Sequence, residues 1–332
     1  MAVEWVVAAG VLVGASAVLW GLSAWMTRRI EATVPSNGRF VEVDGERFHY
    51  VEEGKGPPLV MIHGLMGSSR NLTYALSGQL REHFRVISLD RPGSGYSTRR
   101  SGTPADLPAQ ARQIAAFIKT LDLDKPLVLG HSLGGAIALA LALDHPHAVS
   151  GLVLVAPLTH PPAHAAPGVP VSGRAPGLAA ALGGSHLDPA HRPADQRLGG
   201  EGRVRPRSCA ARLRQPWRRF AGHAPRQLLR RVHRDQPVND HLPDMVKRYP
   251  QLTLPIGLIY GGQDKVLDFQ KHGQALASKV PGLKMQVIEG RGHMLPITAT
   301  ERVAALVEQV AKRVRPGENV RQLQPSVALA SK

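Results

Sequence analysis

Cysteine is nearly absent. The 332-residue chain carries one, Cys209, which excludes an internal disulfide and argues against a disulfide-stapled secreted fold. No cluster of His, Cys, Asp and Glu has metal-ligand spacing, and no glycine loop has a phosphate-binding pattern, so no metal and no cofactor are expected. Charge is missing throughout Trp5 to Met26, and residues 161 to 235 contain no Lys, Ile, Met, Tyr, Asn or Thr. Positive charge is what the chain has in excess, +16 formally, which ordinarily points to an anionic partner such as nucleic acid or membrane lipid. Where that charge sits changes the reading.

The uncharged run Trp5 to Met26 is 22 residues long, and a spanning helix needs about 20. Trp5, Trp20 and Trp25 lie near its ends, as interfacial aromatics do. A cleaved signal peptide would have a basic start and a shorter apolar core, and this segment has neither. The expectation is an uncleaved single-pass anchor over residues 1–30. Arg28 and Arg29 then stay on the cytoplasmic side, and the rest of the chain with them.

Beyond the amino terminus the chain is organised around Gly130-His131-Ser132-Leu133-Gly134. This pentapeptide comes after the apolar Pro126-Leu127-Val128-Leu129 and before the apolar run Ala136 to Leu143, which reads as strand, tight turn and helix. The pattern G-x-S-x-G puts a serine at a strained backbone position, with glycines where neighbouring chain passes close. Ser132 Oγ is then lifted above the sheet edge, and Leu133 N–H is offered to a developing oxyanion. Upstream, Phe40 to Val43 and Phe48 to Val51 flank Asp44-Gly45, a hairpin signal. Pro58 to Ile62 reads as a strand covered on both faces and ends in His63-Gly64-Leu65-Met66-Gly67, where Leu65 N–H is the second candidate oxyanion donor. Gly64, Met66 and His131 are the expected substrate contacts. Phe84 to Leu89 is a further strand; Asp90 and Arg91 after it are expected to pin the loop Pro92-Gly93-Ser94-Gly95 rather than react. Ala109 to Leu121 has helical spacing, and Gly151 to Ala156 is another buried strand. Strands alternating with helices imply a mostly parallel sheet with its reactive loops at the carboxyl ends.

Ser132 is a poor nucleophile at neutral pH unless an imidazole accepts its proton, and the imidazole needs a carboxylate to fix its tautomer. Two later strands end suitably: Pro255 to Tyr260 in Gly261-Gly262-Gln263-Asp264, and Lys284 to Ile288 in Glu289-Gly290-Arg291-Gly292-His293. Asp268 is a rival to Asp264 but lies beyond the strand end. Ser132, Asp264 and His293 are the candidate catalytic residues, and Leu65 and Leu133 the candidate oxyanion hole.

On His63-Gly64, Asp90-Arg91-Pro92-Gly93-Ser94-Gly95, Gly130 to Gly135, Asp264 and Gly292-His293, the chain resembles the α/β-hydrolase superfamily, specifically its serine esterase and lipase-like members. The resemblance covers about residues 39–160 and 238–313. It implies a mostly parallel central sheet with helices on both faces, an inserted helical cap, and ester cleavage by the order Ser, Asp, His. Members with an aspartate nucleophile, such as epoxide hydrolases and haloalkane dehalogenases, are disfavoured because Ser132 occupies that position. Perhydrolysis, acyl transfer, and C–C or amide cleavage remain alternatives on the same triad. The expected substrate is a small-molecule or lipid ester. A membrane-tethered binding protein with a basic arm is the non-enzyme alternative.

The expected organisation is an anchor (1–30), a first core half (38–160), a cap region (161–237), a second core half (238–314) and a tail (315–332). The cap region departs from the family pattern. Residues 161–235 hold 14 arginines against four acidic residues, so they carry +10 of the +16, and their 10 prolines interrupt most helices. A disordered arm for nucleic acid or lipid is one reading. Arms of that kind mix Lys with Arg, and no Lys is present, so nucleic acid is disfavoured as a partner. A segment translated out of frame in a GC-rich gene accounts better for abundant Arg, Pro, Ala and Gly beside missing Lys, Ile, Asn, Tyr and Met.

Overall fold

The computed structural model describes residues 2–161 and 240–314. The cap region expected from the sequence, after residue 161, and the expected tail lie outside the described residues.

The described chain runs α1 (Ala2–Thr33), β1 (Arg39–Val43), β2 (Glu46–Glu53), β3 (Pro58–Ile62), α2 (Arg70–Thr73), α3 (Leu76–Leu80), β4 (Arg85–Leu89), α4 (Leu107–Thr120), β5 (Leu127–His131), α5 (Leu133–Asp144) and β6 (Gly151–Val155). It continues with α6 (Leu242–Arg248), β7 (Ile256–Gly261), α7 (Ala275–Ala277), β8 (Met285–Ile288), α8 (Leu295–Thr298) and α9 (Thr300–Val314). The eight strands form one sheet in the order β1-β2-β4-β3-β5-β6-β7-β8. β1 pairs with β2 and β2 with β4 antiparallel, and every other pair is parallel. Strands from both expected core halves therefore belong to one sheet, joined where β6 pairs with β7.

Local sequence explains the elements. Asp44 and Gly45 both take positive φ, at 51° and 78°, as a two-residue turn between twisted strands requires. The central strands lack polar alternation because both faces are covered. Val60, Ile62, Val128 and Leu154 face a layer with Ile114, Phe117 and Ile137 of α4 and α5. Leu59, Met61, Leu129 and Val153 face the other way, onto Leu72, Leu76 and Leu80 and onto Val303, Leu306 and Val310 of α9. Asp106 caps α4 by accepting from Ala109 N–H at 2.8 Å, with Pro108 in the first turn, where its missing N–H costs nothing.

The nucleophile turn has the expected strand, turn and helix form: β5 runs to His131 and α5 begins one residue after Ser132. At the amino terminus the structure has one 32-residue helix, α1, which includes the whole of Trp5 to Met26. Among the described residues no helix is long and apolar enough to cross a membrane, and the side chains of residues 6–9 and 12, inside the expected span, are not among them.

Candidate active site

Five strands deliver the candidate residues to one edge of the sheet, each at its carboxyl end. His63 and Gly64 follow β3, Asp90 and Arg91 follow β4, and Ser132 follows β5. Asp264 lies in the loop after β7, and His293 in the loop after β8.

Ser132 has φ 57° and ψ −119°, a conformation that L-residues rarely adopt. The strain is held by fixed neighbours: Ser132 N–H donates to Val155 O at 3.0 Å, and Leu158 N–H to Ser132 O at 3.0 Å. It is made possible by the glycines around it. A Cβ on Gly130 would strike Gly134 O and push the end of β5 off the start of α5, and one on Gly134 would strike Ile62 O and force the turn away from β3. Leu133 is the first residue of α5, where helical N–H groups have no partner within the helix. Neither Leu133 N–H nor Leu65 N–H makes a hydrogen bond among the described residues. A Cβ on Gly64 would lie 3.0 Å from Ser132 Cβ, which places the Gly64-Leu65 loop against the serine.

His293 Nδ1 lies 2.7 Å from Asp264 Oδ2. Only the ring nitrogen can donate to a carboxylate, so Nδ1 carries the proton and Nε2 is left with a lone pair, as a general base requires. The Asp264 side chain is fully buried; its Oδ1 accepts from Val266 N–H at 2.8 Å and Leu267 N–H at 3.0 Å, which fixes the carboxylate before it meets the ring. Asp268 is exposed and accepts from Gln270 N–H at 2.8 Å, a local turn contact. The acid and base loops are tied to each other: Gln263 N–H donates to Arg291 O at 2.8 Å, and a Cβ on Gly261 would strike Arg291 O and Gly292 O. Among the described residues Ser132 Oγ and His293 Nε2 make no hydrogen bond to each other.

His131 is expected from sequence to meet substrate, and the structure turns it elsewhere. Its side chain is buried, its Nε2 lies 3.1 Å from His293 O, and the two rings are 4.9 Å apart. A carbonyl only accepts, so His131 Nε2 carries the proton and ties the nucleophile turn to the His293 loop. Burial, with the nearby His293 as a lesser cause, lowers its pKa to about 4. Met66, the other substrate candidate beside Gly64, is 63% exposed and has φ 56°.

The loop contacts of Asp90 and Arg91 are more extensive than their sequence context indicates. Asp90 is buried and accepts from Ser69 N–H at 2.6 Å, Tyr96 N–H at 2.9 Å and His49 Nδ1 at 2.8 Å. Burial raises its pKa, but these donors, the backbone ones first, outweigh that and hold it below the usual carboxylate range. Arg91 is 1% exposed and meets no carboxylate among the described residues. Its Nε donates to His63 O at 3.1 Å, Nη2 to Gly64 O at 3.1 Å and Nη1 to Gln110 Oε1 at 2.8 Å. Arg91 N–H donates to His63 Nε2 at 3.0 Å, so His63 carries its proton on Nδ1, which lies 2.8 Å from Gly64 O. Burial, and then the charge of Arg91, lower the His63 pKa to about 3, so it stays neutral. A second buried polar group closes the end of β6: Tyr249 Oη donates to Thr159 O at 2.6 Å, and Thr159 Oγ1 to His272 O at 2.9 Å. No pattern in the sequence signals it. Among the described residues no group of three or more His, Cys, Asp or Glu is placed to hold a metal ion.

Comparison with known proteins bears on the fold. The chain is 37% identical to haloalkane dehalogenase 2 of Mycobacterium tuberculosis over 123 residues, 36% of this chain and 42% of that one. It is 38% identical to pimeloyl-[acyl-carrier protein] methyl ester esterase of Aeromonas salmonicida over 116 residues, 35% of this chain and 42% of that one. The chain thus spans about two fifths of the length of the curated relatives it matches. Among solved structures, an α/β hydrolase fold protein from Burkholderia ambifaria superposes with a TM-score of 0.58 at 23% identity, covering 82% of this chain and 100% of that one. A membrane phospholipase A superposes with a TM-score of 0.57 at 22% identity, covering 94% of this chain and 99% of that one. The family model described as the alpha/beta hydrolase fold matches residues 57–300, more than half the sequence. The chain belongs to the α/β-hydrolase fold family.

Proposed function

We propose that the protein is a serine hydrolase that cleaves a carboxylic ester through an acyl-enzyme intermediate. The observation that carries this reading is the strained Ser132 at the start of α5, on the same sheet edge as a His293 whose Nδ1 is committed to Asp264 at 2.7 Å. Ser132 Oγ attacks the ester carbonyl carbon while His293 Nε2 takes its proton. The carbonyl oxygen becomes an oxyanion between the N–H groups of Leu65 and Leu133, which have no other partner among the described residues to give up. His293 returns the proton to the departing alkoxide; water, deprotonated in turn by His293, then releases the acid and restores Ser132. Gly64 permits the close approach, and Met66 flanks the substrate. The chemistry needs no cofactor.

Of the two curated relatives, the esterase fits this site better than the dehalogenase. A serine that displaced halide from a saturated carbon would be left as an ether, with no carbonyl for water to attack. Dehalogenation through Ser132 would stop after one step. The test is turnover of short p-nitrophenyl esters, which Ser132→Ala should reduce by about 10³-fold or more if the three residues act as a unit. A folded Ser132→Ala protein with unchanged turnover would sink the assignment.

We also propose that α1 anchors the protein to a membrane with the catalytic domain on the cytoplasmic side. The support is its composition and exposure: the uncharged Trp5 to Met26 lies within one helix, and Trp5, Val13, Trp20 and Trp25 are each more than half exposed. Twenty-two helical residues rise about 33 Å, close to the thickness of a hydrocarbon core.

A further inference from the structure

Arg91 is a buried cation whose donors go to main-chain and amide oxygens rather than to an acid. Two of the three groups it meets, His63 O and Gly64 O, lie in the loop that carries the Leu65 N–H. The neighbouring carboxylate, Asp90, is taken up by other donors: Ser69 N–H, Tyr96 N–H and His49 Nδ1. We infer that Arg91 is a positioning residue that aims the Leu65 N–H at the oxyanion and strengthens it as a donor. The inference rests on the serine-hydrolase reading of the site.

Peptide geometry makes the link. Gly64 C=O and Leu65 N–H belong to the same planar unit, and no peptide bond among the described residues is cis. In a trans unit the two point in opposite directions. Gly64 O is held by three donors: His63 Nδ1 at 2.8 Å, Arg91 Nη2 at 3.1 Å and Gly67 N–H at 3.3 Å. Fixing the oxygen on that side fixes the Leu65 N–H on the other, and Gly64 itself lies against Ser132. Rotation of this unit would carry the N–H away from the serine and cost three hydrogen bonds, one of them charge-assisted. Donation into the carbonyl also polarises the amide, so Leu65 N–H is a stronger donor than an isolated peptide. Arg91 in turn is aimed by Gln110, whose Oε1 accepts Nη1 at 2.8 Å and whose Nε2 donates to Ala105 O at 2.7 Å. The chain of contacts therefore runs from α4 through Gln110 and Arg91 to Gly64, and ends at Leu65 N–H.

The role predicts a signature that mere support of the fold would not produce. Loss of a single oxyanion donor costs about 10²- to 10³-fold in kcat. Arg91→Lys keeps the charge but cannot reach His63 O, Gly64 O and Gln110 together, so kcat for p-nitrophenyl acetate should fall about 10- to 100-fold with KM within about threefold. Affinity for an aryl boronic acid, which becomes tetrahedral on Ser132, should fall by the same factor as kcat/KM. Gln110→Met leaves Arg91 in place but unaimed, so it should show the same pattern at smaller amplitude; it also serves as the second variant if Arg91→Lys does not fold. A crystal structure of either variant should show the 64–65 peptide rotated or displaced relative to Ser132. An active wild-type enzyme whose folded Arg91→Lys and Gln110→Met variants keep kcat, boronate affinity and the peptide orientation would overturn the role of Arg91 alone. A wild-type protein that neither turns over esters nor binds the boronate would overturn the functional reading, and the role with it.

Discussion

Two buried neutral histidines make the fold's stability depend on pH in a calculable direction. His131 and His63 have folded pKa values lowered to about 4 and about 3, in each case chiefly by burial. In the unfolded chain both return to about 6.5. Below pH 6.5 the unfolded chain therefore binds protons that the fold refuses, and stability falls as the pH drops towards the folded values. Above pH 6.5 the contribution is constant. Integrated over the shift, each histidine removes about 2 kcal/mol at pH 5 and about 3 kcal/mol at pH 4, since neither is exposed to screening by solvent. Together these are a large share of a typical domain stability of about 5–15 kcal/mol. His160 and His272, also lowered by burial, act in the same direction, so a single variant is needed to isolate one site. His131→Gln can still donate to His293 O but does not titrate. Urea unfolding at pH 7.5, 6, 5 and 4.5 should give a wild-type slope between pH 6 and 4.5 steeper than the variant's by one proton, about 1.4 kcal/mol per pH unit. Parallel curves for the two proteins would show that His131 is not held neutral, and would refute the burial argument.

Asp264→Asn should lower kcat for ester substrates by about 10⁴-fold while the fold melts normally, because an amide N–H facing Nδ1 forces the His293 proton onto Nε2 and removes the base; a loss under tenfold would mean that another carboxylate orients the ring. The full-length protein should sediment with membranes and resist extraction by 1 M salt or alkaline carbonate, since an apolar helix holds it, and removal of residues 1–29 should release it. If salt alone frees the intact chain, charge rather than α1 makes the contact.

The parts of this fold that are legible in the sequence share a physical cause. β3, β5 and β6 are covered on both faces, so they read as unbroken apolar runs with no alternation to misinterpret. The Asp44-Gly45 turn is legible because positive φ at both positions selects few residue types. Ser132 and Asp264 stand out because each follows such a strand within a glycine-bearing loop, and His293 because it lies in a glycine-bearing loop after the last strand, the partly exposed edge strand β8. What is illegible depends on contacts far apart in the chain. His131 meets a carbonyl 162 residues away, so in sequence it looks like a substrate contact next to the nucleophile. Arg91 reaches back 27 residues to Gly64 O, and nothing local marks an arginine for a carbonyl rather than a carboxylate. The short α2 and α3 are held by burial of Leu72, Leu76 and Leu80 against the sheet, with too few turns to show a period.

The central claim is that Ser132 is a nucleophile made reactive by His293 and served by two backbone donors, Leu65 N–H and Leu133 N–H. A fluorophosphonate probe tests it most directly, since it reacts only with a serine that can be deprotonated and whose phosphoryl oxygen is stabilised. Mass spectrometry of the digested, probe-treated protein should find the adduct on the peptide containing Ser132, and none there after Ser132→Ala or His293→Ala. Folded wild-type protein that stays unlabelled, or labels only at another residue, would contradict the account.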